Sequence, residues 1–483
     1  MGASKKVVGI SFPRNNPNLG LEPSILSVLP PGENVEYVDD NRSFVDHDIG
    51  MYLCSVYING VNEFKEWAMK HDTRKIVVGG YHPTMFPEDF LNFANKIVVG
   101  PCDDLDATLS QKGVLFEKSH YDGLQIGNAR FVEDRILKRF SSVEGWTRIH
   151  GEMSSNQEFP EEPSGKADVL EDRVLPGVLT FRNSPRYDLY DIRKNQQIIP
   201  DKKIDDLSTS INTSMGCPYK CDFCCTPVMF GKNLISKPLE IIERDAQIVA
   251  AHFDKADEGN KERFLFFRDE NLLLQPDYKD KLEIIADKTN AKVYLFASAN
   301  MVTEEAAKTM AENNVYMVCL GLEDPTKSYG KNKRLNQSVE ILKDHGIATY
   351  LSFIVDPLQM VGEGKAKEFY NLLYQKFEEL KPEMVCGNFL MPFPGTPIWD
   401  KYYHLISNED FEQYDSKTPF LIKNEIVAEK MKYYMFDVQW KYYNSDLYNN
   451  EVRQFDVGDT LNLRFTELKE QFDKSLGILH LRP

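Results

Sequence analysis

Residues 212–224 read N-T-S-M-G-C-P-Y-K-C-D-F-C, and the rest of the chain is best understood outward from them. Cys217, Cys221 and Cys224 stand at C-x3-C-x2-C, a spacing that lets three thiolates of one short loop converge on one iron-sulfur cluster. A cubane takes four ligands, so three cysteines leave one iron open to a further ligand. Gly216 and Pro218 suit such a loop, because glycine accepts unusual backbone angles and proline blocks an early helix. Phe223, directly before the third cysteine, is expected to set a ring beside whatever occupies the open iron. A zinc site, or thiols simply kept reduced in a core, is the alternative. Zinc sites favour paired C-x2-C arms or completion by histidine, and no histidine lies between 217 and 225. Cys225 is expected to point away as an ordinary core thiol.

This loop resembles that of the radical S-adenosylmethionine (radical SAM) superfamily. The resemblance implies a 4Fe-4S cluster on Cys217, Cys221 and Cys224 that holds SAM by its amino and carboxylate groups. It further implies reductive cleavage of SAM to a 5′-deoxyadenosyl radical, and a one-electron donor of flavodoxin or ferredoxin type.

Downstream, short apolar runs at 208–213, 264–267, 292–297, 315–320, 347–355 and 384–390 alternate with helical segments such as 238–251, where Leu239, Ile242, Ala246 and Val249 share one side. Six strands with polar or turn residues at their ends predict a partial (β/α)6 TIM-type barrel whose chemistry sits at the strand C-termini. Several of those ends also resemble the superfamily. F-F-R-D-E-N (266–271) is similar to F-x-D-D-x-F, which implies that Asp269 or Glu270 receives the SAM ammonium. G-L-E-D (321–324) resembles G-I-E-S, which brings Glu323 to the SAM ribose or amino group, with Asp324 in place of serine. Ser298 and Asn300, at the end of the third strand, are further cofactor candidates. P-F-P-G-T-P-I-W-D (392–400) resembles P-Y-P-G-T-P, whereas V-D-P-L-Q-M-V-G-E-G (355–364) departs from the usual G-L-P-G-E-T. Helix capping is the other use of single acids at strand ends. No catalytic residue is assigned beyond these cofactor contacts.

Upstream, runs at 6–10, 35–38, 49–56, 75–78 and 96–99, closed by glycines, predict an N-terminal Rossmann-like, doubly wound parallel sheet with its ligand crevice at the strand C-termini. V-V-G-G-Y-H-P-T (77–84) and I-V-V-G (97–100) resemble the cobalamin-binding-type domain that precedes the barrel in one class of radical SAM proteins, except that Pro101-Cys102 replace the usual Gly-Glu. The resemblance implies cobalamin. V-D-H-D-I-G (45–50) is close to a D-x-H-x-x-G motif and offers His47 as a cobalt ligand, against a solvated loop histidine. The expected organisation is a cobalamin-binding-like domain (1–130), a connector (131–200), the barrel (201–400) and a C-terminal helical region (401–483). The connector includes a Gly-, Ser-, Glu- and Pro-bearing stretch at 141–166 and Y-D-L-Y-D-I (187–192), similar to the segment that enters such barrels. In the C-terminal region Tyr433, Phe436, Trp440, Tyr443 and Leu447 form an aromatic stripe, read as core against the barrel.

Composition limits the partners. With 57 basic and 74 acidic residues in 483 the net charge is -17, which argues against nucleic acid, since phosphate binding draws on clustered Lys and Arg. No run of 18 apolar residues suggests a membrane span, and the first residues lack the apolar core of a signal peptide. Eight cysteines in so long a chain do not suggest a disulfide framework, so a reducing, cytoplasmic setting is expected. The function expected is a radical SAM enzyme acting on an unactivated carbon of a small molecule or peptide, by cobalamin-dependent C-methylation. The alternatives are rearrangement, cyclisation or coupling without cobalamin, and a non-catalytic iron-sulfur protein.

Overall fold

The computed structural model describes residues 6–12, 26, 29–30, 34–38, 49–90, 92–100, 102, 108–109, 174–176, 185–190, 192, 207–230, 234–257, 259, 261–327, 329–330 and 333–452. His47 and the stretch 141–166 lie outside them.

The N-terminal strands are β1 (Lys6–Phe12), β2 (Val35–Val38), β3 (Ile49–Val56), β4 (Ile76–Gly79), β5 (Lys96–Val99) and β6 (Val174–Pro176). They form one sheet in the order β2-β1-β3-β4-β5-β6, with every neighbouring pair parallel. The last strand comes from within the stretch expected as connector, so the chain returns to this sheet before it enters the barrel. Continuous apolar runs make these strands because both faces are covered. On one face Val8, Ile10, Phe12, Tyr52 and Val78 meet Phe64 and Trp67 of α1 (Val61–Ala68), while Leu53, Val77 and Val98 meet Leu26 and Leu29 on the other. A sheet of this order changes direction between β1 and β3, and ligands bind at that switch, outside the strand C-termini.

The second sheet runs β14-β13-β12-β11-β10-β7, again entirely parallel. Its strands are β7 (Leu207–Ile211), β10 (Arg263–Phe267), β11 (Lys292–Ala297), β12 (Val315–Glu323), β13 (Ala348–Val355) and β14 (Met384–Phe389). Between β7 and β10, β8 (Ser214–Met215) pairs antiparallel with β9 (Ile235–Ser236). The expected strands are all present, in the expected order, as six of a partial barrel. Here burial alternates: Leu265, Val293, Leu295, Leu351 and Phe353 are fully buried on the outer, helix-covered face, while Phe266, Tyr294, Phe296, Tyr350 and Ile354 on the inner face stay partly open.

The ten helices among the described residues are, besides α1, α2 (Tyr81–Met85), α3 (Thr226–Met229), α4 (Leu239–Ala256), α5 (Tyr278–Thr289), α6 (Glu304–Glu312), α7 (Leu335–Asp344), α8 (Glu363–Leu380), α9 (Pro397–Tyr402) and α10 (Glu425–Tyr443). In α4, Ile242, Ala246, Val249 and Phe253 are fully buried. Each of the three larger side chains contributes about 1.5–3 kcal/mol by leaving water.

A six-stranded open barrel leaves two sheet edges with unpaired main-chain groups. Along β14 these are met by side chains. Val385 N–H donates to Tyr443 Oη at 2.8 Å and Gly387 N–H to Gln439 Oε1 at 3.3 Å, while Lys417 Nζ donates to Gly387 O at 2.8 Å. The strand's outward face is equally tight, since a Cβ on Gly387 would lie 2.5 Å from Phe353 and 2.8 Å from Met435. The buried residues of α10 are therefore Met431, Met435, Phe436, Val438, Gln439, Tyr442 and Tyr443. The expected stripe is right at Phe436 and Tyr443, but Tyr433, Trp440 and Leu447 are only half-buried. The helix is turned so that polar tips reach the strand edge. At the opposite edge, Tyr187 Oη donates to Ser210 O of β7 at 2.7 Å.

Candidate cluster and cofactor site

The cysteine loop follows β7 and is framed by the β8–β9 ribbon. Gly216 opens it with φ of 88°, a left-handed angle that a side chain would strain. Cys217, Cys221 and Cys224 are all partly exposed at the barrel's C-terminal end, with a turn from Cys224 N–H to Cys221 O at 3.3 Å. Cys225 starts α3 and packs against the barrel core. Burial first, then the neighbouring Cys224, pushes its thiol up to about 12, so it stays protonated. None of the eight cysteines is in a disulfide. Among the described residues no group of three His, Cys, Asp or Glu side chains is placed to hold a single metal ion. A cluster that takes one thiolate per iron does not require that convergence.

The two acids after β10 have different surroundings. Asp269 is fully buried and accepts from Thr213 N–H (3.0 Å), Thr213 Oγ1 (2.8 Å), Ser214 Oγ (2.6 Å) and Gln275 Nε2 (3.1 Å). Those bonds fasten the start of the cysteine loop to the barrel, and they use the carboxylate fully. Beneath them Lys281, also fully buried, bonds Gln275 Oε1 and Ser236 Oγ. Glu270 lies against the loop, near enough to feel the Gly216 N–H, and its Oε2 is buried with no hydrogen-bond partner. Burial raises its carboxyl to about 7, with Asp269 adding to the rise.

Asn271 is 2% exposed; it donates to Ser298 Oγ at 2.7 Å and leaves its own Oδ1 unpaired, as does Asn212 at the end of β7. The unpaired atoms on Asn212, Glu270 and Asn271 are all acceptors, at the ends of neighbouring strands. Buried acceptors without donors are costly and are usually met by a ligand or water. A molecule that brings an ammonium and hydroxyl groups, as SAM does, fits them. Sequence reasoning passed over Asn271, although it is the last residue of R-D-E-N.

Glu323 ends β12 with φ of 60°, past a register shift from Gly321, and is 5% exposed. A left-handed non-glycine residue is rare and is typical of strained functional positions. Asp324 turns away, accepting from Thr326 N–H at 2.9 Å and pairing with Lys327 at 2.9 Å. Ser298 accepts from Asn271, as above. Asn300 bonds the loop after β12 instead of facing the cysteines: its Nδ2 donates to Gly330 O and its Oδ1 accepts from Arg334 N–H at 3.3 Å. Phe223 lies 6.1 Å from the Tyr329 ring, at 82° between planes.

The N-terminal crevice faces the same mouth. Gly80 has φ of 108°, and a Cβ there would lie 2.9 Å from Val56 N and O, so only glycine lets β4 turn against β3. Thr84 joins the two glycine loops, donating to Gly80 O at 2.7 Å and accepting from Gly100 N–H at 3.0 Å. Above Gly100 a Cβ would meet nothing within 4 Å, which leaves bare backbone for a ligand to approach. Tyr81 Oη donates to Pro394 O at 3.1 Å, and the Tyr81 and Phe393 rings meet edge to face at 5.6 Å. Ile398 N–H in turn donates to Asp222 O of the cysteine loop at 3.2 Å. The P-F-P-G-T-P segment thus touches both the V-V-G-G loop and the cysteine loop.

Residues 211–357 match the model of the Radical SAM superfamily. The bacteriochlorophyllide d C-8(2)-methyltransferase of Chlorobaculum tepidum is 21% identical over 411 residues, 81% of this chain and 78% of that protein. The hopanoid C-2 methylase of Rhodopseudomonas palustris is 25% identical over 241 residues, 46% of this chain and 43% of that protein. Among solved structures, the radical S-adenosylmethionine methyltransferase TsrM from Kitasatospora setae, with cobalamin and a 4Fe-4S cluster bound, superposes with a TM-score of 0.48 at 15% identity, over 83% of this chain and 75% of that one. The matched span runs from the end of β7 to just past β13 and takes in all three cysteines, so residues 211–357 form a radical SAM domain.

Proposed function

We propose that the chain is a cobalamin-dependent radical SAM C-methyltransferase acting on an unactivated carbon of an apolar small molecule. One observation carries the reading: the C-terminal ends of the two parallel sheets meet, with Tyr81 bonded to Pro394 and Ile398 to Asp222, so a cofactor above Gly80 and Gly100 and one at the cysteines would share a mouth. The relatives' names support methyl transfer, since they specify C-8(2) of a bacteriochlorophyllide and C-2 of a hopanoid. The partly open inner face of the barrel, with Phe266 stacked on Tyr294 at 4.9 Å and Phe296 edge-on to Phe266 at 5.3 Å, suits an apolar guest better than a peptide backbone.

Cys217, Cys221 and Cys224 would hold a 4Fe-4S cluster, which when reduced would supply the electron for cleaving SAM, and the N-terminal crevice at Gly100 would hold cobalamin, which would supply the methyl group. Glu270 takes the SAM ammonium, with Asn212 and Asn271 as further acceptors. Asp269 holds the loop in register and stays out of contact with cofactor. Glu323 takes the ribose or amino group from the strained end of β12, and Phe223 covers the adenosyl side. The barrel wall keeps water from the substrate radical. The reductant is a flavodoxin- or ferredoxin-type protein in a reducing cytoplasm, which eight cysteines outside any disulfide suit. Among the described residues no helix is long and apolar enough to cross a membrane.

The test is anaerobic reconstitution with iron, sulfide and hydroxocobalamin, then desalting. Retained corrin absorption is expected, and so is 5′-deoxyadenosine formation from SAM and dithionite that Cys221→Ala abolishes while the corrin stays bound. Deoxyadenosine without corrin would select the non-methylating radical reaction; corrin or iron without deoxyadenosine would reject the enzyme.

A further inference from the structure

The loop between β12 and α7 is held at both ends by bonds that none of the expected roles explains. At its start Asp324 accepts from Thr326 N–H at 2.9 Å and Thr326 Oγ1 at 2.6 Å. Further along, Asn300 grips it twice, through Gly330 O and Arg334 N–H. Tyr329 stands between these anchors, with its half-buried ring edge-on to Phe223, the residue directly before Cys224. Its phenol is close enough to Asp324, Asp222 and Glu323 to feel all three charges, and after burial these are what hold the hydroxyl protonated well above the ordinary tyrosine range. A neutral ring among carboxylates, beside the cysteine loop, suits a cation that carries a flat aromatic group.

We infer that Tyr329 is a SAM-contacting residue that forms, with Phe223, an aromatic corner for the adenosyl-sulfonium part of the cofactor, and that Asn300 is a positioning residue acting through it. The inference rests on the reading that the three cysteines hold a SAM-binding cluster. It also gives a reason for the direction Asn300 faces: its amide is spent on fixing the loop that presents the ring. The ring is the part that matters, while the hydroxyl reports only its acidic surroundings.

Reconstituted protein separates these roles. SAM affinity is measured by equilibrium dialysis with radiolabelled SAM, and the cluster by iron content and by the change in the reduced cluster's EPR spectrum on adding SAM. Tyr329→Phe should bind SAM within about threefold of the unaltered chain, whereas Tyr329→Ala should weaken it by about tenfold and diminish the EPR change, with iron content equal in both. Asn300→Ala should weaken SAM less, by about fivefold, and the double variant should be no weaker than Tyr329→Ala alone, because residues acting through one contact are not additive. Unchanged SAM affinity and EPR response in Tyr329→Ala overturns the inference, as does a double variant whose losses multiply. Failure of the unaltered chain to hold iron or bind SAM at all would instead remove the reading beneath it, and is distinguished by that control.

Discussion

The molecule contains two six-stranded parallel sheets that use the same ladder for different purposes. In the N-terminal sheet both faces are buried, so Val8, Ile10 and Phe12 meet one layer while Leu53, Val77 and Val98 meet the other. Its ligand surface is confined to the loops at the strand ends, where Gly100 leaves backbone bare while Gly80 packs against Val56. In the barrel only one face is buried by helices, and the other carries Phe266, Tyr294, Phe296 and Tyr350 around a partly open interior. One sheet offers a rim; the other offers a rim and a wall. A cofactor that must be held can sit on the first, and a substrate that must be enclosed needs the second.

The contrast can be broken most severely at the barrel's rim. Asp269→Ala removes the acceptor of four donors from Thr213, Ser214 and Gln275, leaving buried N–H and O–H groups unpaired at a cost of about 3–5 kcal/mol. Iron bound per chain should fall sharply, while hydroxocobalamin retention, which depends on the other rim, should change little. Equal loss of both would show that the sheets do not hold their ligands separately.

A second, smaller effect comes from where the sheets touch. His82 is fully buried among the rings of Phe86, Phe90 and Phe411, with Nε2 3.0 Å from Asp89. Burial lowers its basicity below the ordinary histidine value, although Asp89 opposes this. The unfolded chain therefore takes up the proton first: stability is complete above about pH 6.5 and falls as pH drops below it, by at most about 1.4 kcal/mol per pH unit. Urea midpoints at pH 7.5 and pH 5.5 should differ, and His82→Phe should narrow that difference.

The smallest effect tests the barrel's edge. Tyr443→Phe leaves Val385 N–H, now bonded to the phenol at 2.8 Å, without that acceptor, and should cost about 1–2 kcal/mol in denaturant unfolding. Deoxyadenosine formation should persist, because Val385 lies at the start of β14, at the other end of the strand from the rim that carries the cysteine loop.

The strands were legible because each is a run of apolar residues whose burial does not depend on which helix covers it. Order and parallel pairing followed from the alternation of strand and helix. What stayed hidden depends on distant partners. The return of Val174–Pro176 to the first sheet is a three-residue pairing with no pattern of its own. The facing of α10 is decided by hydroxyl and amide groups seeking the β14 edge, which an apolar count misses. At the site, Asp269 and Glu270 are indistinguishable as adjacent acids, and only the bonds from Thr213 and Ser214 separate their surroundings. Tyr329 had no motif to mark it; its interest comes from a loop that Asn300 ties down from another strand.

The tyrosines at the barrel's two margins have one more consequence. An open cylinder would otherwise present a raw strand on either side to any neighbouring molecule, the usual start of fibrous stacking. With Tyr187 on Ser210 O and Tyr443 on Val385 N–H, a phenol at each margin takes up a main-chain group that a further strand would need. The gap in the wall stays open while each margin is made a poorer template.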